Sequence, residues 1–260
     1  MAIVLNTLLI IVTALAIPGV INRTRAILAG RKGLPFTQHL RNVNVLLRKG
    51  AVYSTTTTAL FRIAPAIYLG AAIVATLMIP VADLYPLISF EGDVICFAYT
   101  LALFCGYTSF ADIFEHEQSF DLHLTIVMLL TAFLFVKITF VESGRVPVDD
   151  PRTHLELTMI HEVMCLDYSG IDMGMIHIAG WLKTACFSMI AANAVTATCC
   201  FHWWCAVPLA ILLTGLSVGI VESTQARNKL SKNTTYIVTI SALAALIFFI
   251  GFLLKLNINF

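Results

Sequence analysis

Seven apolar stretches long enough to cross a bilayer dominate this sequence, at 2–21, 62–80, 94–111, 122–141, 184–204, 206–222 and 235–254. A spanning helix needs about 20 predominantly apolar residues. Lipid offers no hydrogen bonds, so each backbone N–H and C=O must be satisfied within the segment or within a closed barrel. Alternation of period two over about ten residues, the mark of a membrane barrel, is absent. The expected fold is therefore all-α: a polytopic integral membrane protein forming a single domain over 1–260. Composition agrees, with 59% of residues hydrophobic and 12% charged, against about 45–50% and about 25% in soluble domains. The first stretch has no basic leader and no small-residue cleavage site, so it is expected to be a retained span.

The placement of charge sets the expected topology. Arg23, Arg25, Arg31, Lys32, Arg41, Arg48 and Lys49 occupy the connection between the first two stretches without one acidic residue. The positive-inside rule makes 23–57 a cytoplasmic loop. Arg227, Lys229 and Lys232 place 223–233 on the same side. Counting crossings from both loops leaves the two ends of 94–111 together on the opposite side. Roughly eighteen residues cannot cross twice. That stretch is then re-entrant, or broken near Gly106, unless the charge rule fails on one half. Irregular backbone at such depth needs protein neighbours, which points to life inside a complex. A net charge of +1 gives no reason to expect nucleic acid.

The longest polar interruption, 142–176, reads as an acidic cytoplasmic loop with a short helix. Pro147 and Pro151 bracket an extended turn. Thr153 and Glu156 form a capping box, which predicts a helix from about 154 to Ser169 or Gly170. His154, Thr158 and Glu162 would share its polar face, making it an amphipathic helix at the membrane boundary. Glu142 ends a lipid-depth helix, and Lys137 lies five residues earlier inside it. Intramembrane ionisable groups cost about 2.5–3.5 kcal/mol and tend to mark ion paths or buried pairs. Lys137 therefore needs a partner, or it snorkels to the boundary. The plainest alternative is a solvated loop with Glu142 paired to Arg145. Arg145, Pro147, Thr153, His154 and His161 are candidates for structuring the loop.

Catalytic machinery is not expected. His161-Glu162 is followed by Cys165 where a zincin would have its second histidine, and neither a GxSxG elbow nor a GxxxxGK loop occurs. Cysteines at 96, 105, 165, 186, 199, 200 and 205 form no CxxC pair, so they read as small core residues, with no metal and no cofactor in this chain. Trp181, Trp203 and Trp204 fit interfacial anchors.

The stretch 142–168, ESGRVPVDDPRTHLELTMIHEVMCLDY, resembles the cytoplasmic loop of the membrane-anchor subunit of energy-converting hydrogenases and formate hydrogenlyase, a family related to subunit 1 of respiratory complex I. Its THLELTMIHE portion is nearer the hydrogenase branch. PGVINRTRAILAGRKG at 18–33 and LLRKGAVYSTTTTALFRIAP at 46–65 are similar to that family's first cytoplasmic loop. The resemblance implies a non-catalytic subunit, multi-pass in the plasma (inner) membrane. It would anchor peripheral hydrogenase-like and iron–sulfur subunits beside antiporter-like membrane subunits. Iron–sulfur clusters and a nickel-iron centre would belong to those partners. It further implies that Glu142, Asp149, Asp150, Glu156 and Glu162 couple electron transfer to proton or sodium translocation, while Arg145 holds the loop by ion pairing; Lys137 joins these candidates through its intramembrane position.

One departure stands out. The family has eight spans, with a Gly-Ala-Ser-Arg-Glu loop joining the third and fourth. Here 89–103 is similar to the start of the third and 106–113 to the end of the fourth, and the hairpin between them is missing. Such a deletion accounts for the crossing conflict. It leaves two alternatives open: a structural scaffold that has lost coupling, or a complex I subunit 1 that borders a quinone site. An independent transporter has no support, since paired broken helices in two halves are not visible.

Overall fold

The computed structural model describes residues 2–53, 57–82, 84–88, 122–146, 148, 165, 167–199, 203–225 and 230–255. The described elements are helices α1 (Ala2–Leu28), α2 (Gln38–Leu47), α3 (Ala59–Met78), α4 (Leu122–Glu142), α5 (Ile171–Cys199), α6 (Trp203–Ala210), a π-helical turn (Ile211–Leu216), α7 (Ser217–Thr224) and α8 (Leu230–Lys255). Six stretches are long and apolar enough to span: Ile3–Leu28, Phe61–Met78, Thr125–Glu142, Ile171–Thr196, Trp204–Thr224 and Asn233–Leu253. The protein is a polytopic helical membrane protein. The expected stretch 94–111, on which the re-entrant reading rests, lies outside the described residues.

Helix α5 is the hub, packing against α1, α3 and α4. Its buried positions are largely small, including Ala179, Ala185, Ala191, Ala192 and Ala194. In lipid, where apolar surface gains little by leaving the solvent, small side chains let helices approach and gain dispersion contacts. Large apolar side chains point outward instead, among them Val4, Leu8, Phe133 and Phe248. None of the apolar window of α8 is buried, so it rides on α4 at the rim.

Two buried amides fasten one end of the bundle. The Asn6 side-chain NH₂ donates to the Ile79 carbonyl at 2.9 Å, and that of Asn193 donates to the Pro80 carbonyl at 2.7 Å. Asn193 also accepts from the Ala82 N–H at 3.0 Å, holding Ala82 at a left-handed φ of 44°. An unpaired backbone group buried there would cost about 1–3 kcal/mol. At the opposite end, the close of α1, α4 and α7 meets the start of α3, α5 and α8. Phe61 stacks on Tyr168 at 4.2 Å, and Asn233 donates to the Val148 carbonyl at 2.8 Å. The six spans therefore alternate in direction. Helix α4 has 21 residues, about 30 Å of rise, so its start lies at the Asn193 end, where α3 also finishes.

Two expectations on 142–184 are corrected. The fifth span starts at Ile171, not 184, and its helix ends at Cys199. A hydropathy window excludes this region because Asp172, His177 and Lys183 interrupt it, yet Asp172 and Lys183 are buried against partners. The acidic loop accordingly stops at Gly170. Residues 167–170 also do not end a helix: they form an irregular turn. Gly170 takes φ +55, and a Cβ there would stand 2.4 Å from the Gly50 carbonyl oxygen, so only glycine fits.

After α1 the chain doubles back along it. A Cβ at Gly33 would stand 2.9 Å from Ala26 Cβ, and one at Gly19 would stand 2.6 Å from a ring carbon of Phe36. Helix α2 then returns beside α5, with His39 edge-on to Trp181 at 6.1 Å and Leu47 against Gly174.

Candidate functional site

Among the described residues, Arg25, Glu142, Arg145, Lys183 and Glu222 form ion pairs that join α1, α4, α5 and α7. Helix α7 is preceded by Pro208, which cannot donate a backbone hydrogen bond, and by the π-helical turn. Thr214 Oγ1 donates to the Ala210 carbonyl there at 2.6 Å. A single π turn inside a helix shifts the register of the residues beyond it. Gly215 and Gly219, four apart, then face α1. A Cβ at Gly215 would stand 2.8 Å from Val20 Cγ1, and one at Gly219 would stand 2.6 Å from Thr24 Cβ. Glycines at this spacing let two helix backbones come close. One turn further, Glu222 reaches Arg25.

Glu222 is shared by two guanidiniums. Arg25 Nη1 lies 2.9 Å from its Oε2, and Arg145 Nη1 lies 3.2 Å from its Oε1. The Arg145 contact has hydrogen-bond geometry. The Arg25 contact is a charge pairing without that alignment, since Oε2 accepts no hydrogen bond. The Glu222 side chain is only 2% exposed, against 22% and 23% for the arginines. A carboxylate so enclosed is tolerated because it is doubly paired, and loss of a partner from such a pair costs about 3–5 kcal/mol.

A second pair lies beside it. The Lys183 ammonium contacts a Glu142 carboxylate oxygen, joining α5 to the end of α4. Lys137 takes another environment: its ammonium lies over the rings of Phe133 and Tyr236, at 5.5 and 5.0 Å from their centroids. Aromatic faces stabilise a cation by about 0.5–2 kcal/mol.

The basic loop is fastened to the start of α5. Tyr53 OH donates to the Asp172 carboxylate at 2.6 Å, with Arg62 over the Tyr53 ring at 5.1 Å. The Val52 N–H donates to Ser169 Oγ at 2.9 Å. The bond to Asp172 raises the Tyr53 pKa, because losing the proton would set two anions against each other. Desolvation, then the nearby Asp172 charge, raises that of Tyr168. Burial, with Arg145 and His177 nearby, lowers the pKa of His39. The Asn22 side-chain amide pairs with His39 Nε2.

Of the residues singled out from sequence, Glu142, Arg145 and Lys137 fall on described segments. The pairing of Glu142 with Arg145 is corrected: each goes to a different helix, Glu142 to Lys183 and Arg145 to Glu222. Asp149, Asp150, Glu156, Glu162, Pro147, Thr153, His154 and His161 lie outside the described residues. Sequence reasoning missed Glu222, Lys183 and Asp172. Gly215 and Gly219 followed by Glu222 was the legible signal for the first. Lys183 was hidden by a window that started one residue after it. Trp181, expected as an interfacial anchor, packs on His39 inside the fold.

Comparison with curated proteins returns no significant match. A family model described as NADH dehydrogenase matches residues 83–253, well over half of the chain, including α4 to α7 and the acidic segment between α4 and α5. Taken with the helical membrane bundle and its internal charge network, this match means that the chain belongs to the NADH dehydrogenase family, of the complex I subunit 1-like kind.

Proposed function

We propose that this chain is a non-catalytic membrane subunit that anchors a peripheral redox module and couples its electron transfer to the movement of protons or sodium ions. The observation that carries the proposal is the pair of adjoining ion clusters, Arg25–Glu222–Arg145 and Lys183–Glu142. They join the ends of α1, α4 and α7 with the middle of α5, at the start of the acidic segment 142–170. A charge arriving on a neighbouring subunit acts strongly on ionisable groups in a low-dielectric setting. Glu142 joins the cluster to Asp149, Asp150, Glu156 and Glu162 in sequence, and these are the groups proposed to exchange ions.

The THLELTMIHE portion favours the energy-converting hydrogenase branch. In that reading, iron–sulfur clusters and a nickel-iron centre belong to the partners, antiporter-like subunits lie alongside, and the whole stands in the plasma (inner) membrane. Identifying the companions of the affinity-tagged protein, extracted gently from its membrane, tests this. A partner bearing two CxxC pairs and an iron–sulfur signal supports the hydrogenase branch. Companions without a redox centre would overturn the coupling role.

A scaffold reading also has a specific observation behind it. A glutamate claimed by two arginines staples α1, α7 and the end of α4 without exchanging an ion. Glu142→Gln separates the readings, because a scaffold keeps full ion movement in the assembled complex.

A further inference from the structure

We propose that the fold-back of residues 29–49 is a binding site for anionic phospholipid of the bilayer leaflet at this end of the bundle. At 100° per residue, Val4, Leu8, Leu15, Gly19 and Ala26 share one sector of α1. The first three are exposed large apolar side chains in a spanning helix, so this sector faces acyl chains. The fold-back lies on the same sector, with Phe36 covering Gly19 and Gly33 against Ala26. Its outer surface therefore continues the lipid-facing stripe.

The exposed side chains of that surface suit a phospholipid. Leu34 and Phe36 are exposed in the turn. On α2, the inner face is formed by buried Val43 and by His39, while Leu40 and Leu47, seven apart, form an apolar flank, open at Leu40 and 41% exposed at Leu47, where one branch lies against Gly174. Arg41 and Arg48, also seven apart and about 100° further round, form a cationic ridge beside it, both exposed. Arg31 and Lys32 are exposed at the turn after α1. The sequence contains no acidic residue before Asp83, so nothing within this segment neutralises the ridge. Apolar side chains at acyl depth beside exposed cations are what holds a helix in an anionic interface. The charge complementarity selects a lipid phosphate over a zwitterionic headgroup.

The test uses the full-length protein in phosphatidylcholine vesicles with trace spin-labelled phosphatidylglycerol or phosphatidylcholine, reading the motionally restricted fraction by electron spin resonance. The expected result is about a threefold preference for phosphatidylglycerol. It falls to about parity in the Arg41→Gln/Arg48→Gln double variant and survives Lys229→Gln in the other basic connection. Should the double variant fail to fold, Arg31→Gln/Lys32→Gln in the exposed turn must weaken the preference. The unaltered protein must also lose it in about 1 M salt, where the screening length is about 3 Å. The proposal is overturned by no preference in the unaltered protein, by preference surviving in both double variants, or by equal loss with Lys229→Gln. It is also overturned if restricted phosphatidylglycerol is absent from the complex purified with its companions, which would assign the ridge to a protein partner.

Discussion

Glu222 meets Arg25 one helical turn beyond the point where Gly219 lies against Thr24, so the ion pair depends on a contact with no room for a methyl group. Gly219→Ala would place a Cβ 2.6 Å from Thr24 Cβ. Overpacking of this kind costs about 1–3 kcal/mol. Thermal unfolding in detergent should show the loss, and Thr24→Gly in the same chain should recover part of it. Additive losses would mean that the two residues do not limit each other.

The two ion clusters differ in burial, and their variants should differ in consequence. Glu222→Gln leaves two arginines facing a neutral amide in a site 2% exposed and should destabilise by about 3 kcal/mol. Glu142 is 24% exposed and its partner Lys183 11%, so Glu142→Gln strands one largely buried ammonium and should cost about 2 kcal/mol, less than loss of the doubly paired Glu222. Chemical denaturation of the two variants side by side checks the order, and a larger loss for Glu142→Gln would reverse the assignment.

His39 supplies a pH dependence whose sign is fixed. Burial lowers its pKa from 6.5, so the folded state favours the neutral ring. The unfolded chain takes up a proton as pH falls through about 6.5, where the folded chain does not yet do so. The packing of α2 on α5 is therefore fully present above 6.5 and weakens below it. In a Trp203→Phe/Trp204→Phe background, the fluorescence of Trp181 reports this directly, since a protonated His39 at its edge quenches it. The midpoint should lie below 6.5, and His39→Gln should abolish the titration. A midpoint at or above 6.5 would contradict the burial argument.

Tyr53 and Asp172 tie the basic loop to the start of α5. Tyr53→Phe removes the donor to a carboxylate on a residue only 4% exposed. Asp172 retains the favourable field of the helix N-terminus, so α5 itself should persist. Amide exchange at residues 49–53 should accelerate while that of 174–196 stays slow. Equal acceleration in both would mean that the tyrosine supports the whole bundle.

The spans are legible in the sequence because hydrophobicity over about 20 residues is a property of the segment itself. The end of α3 and the start of α4 lie at the same end of the bundle, which is what the crossing count expects of the chain between them. What escapes depends on partners distant in the chain. Asp172 and Lys183 count against a span until Tyr53 and Glu142 are known to meet them, so hydropathy starts α5 too late. Glu142 and Arg145 are neighbours in sequence, which suggests a pair, whereas tertiary packing brings each a partner from another helix. The fold-back of 29–37 is invisible because it rests on two glycines, Gly19 and Gly33, whose role emerges only once Phe36 and Ala26 lie against them.

The coupling role itself is tested by measuring ions translocated per electron pair in membranes holding the assembled complex, with Glu142→Gln and Lys183→Met compared to the unaltered chain. The account predicts that electron transfer continues while the ratio falls at least severalfold in both variants. An unchanged ratio with both variants fully assembled would contradict it and leave the chain a scaffold.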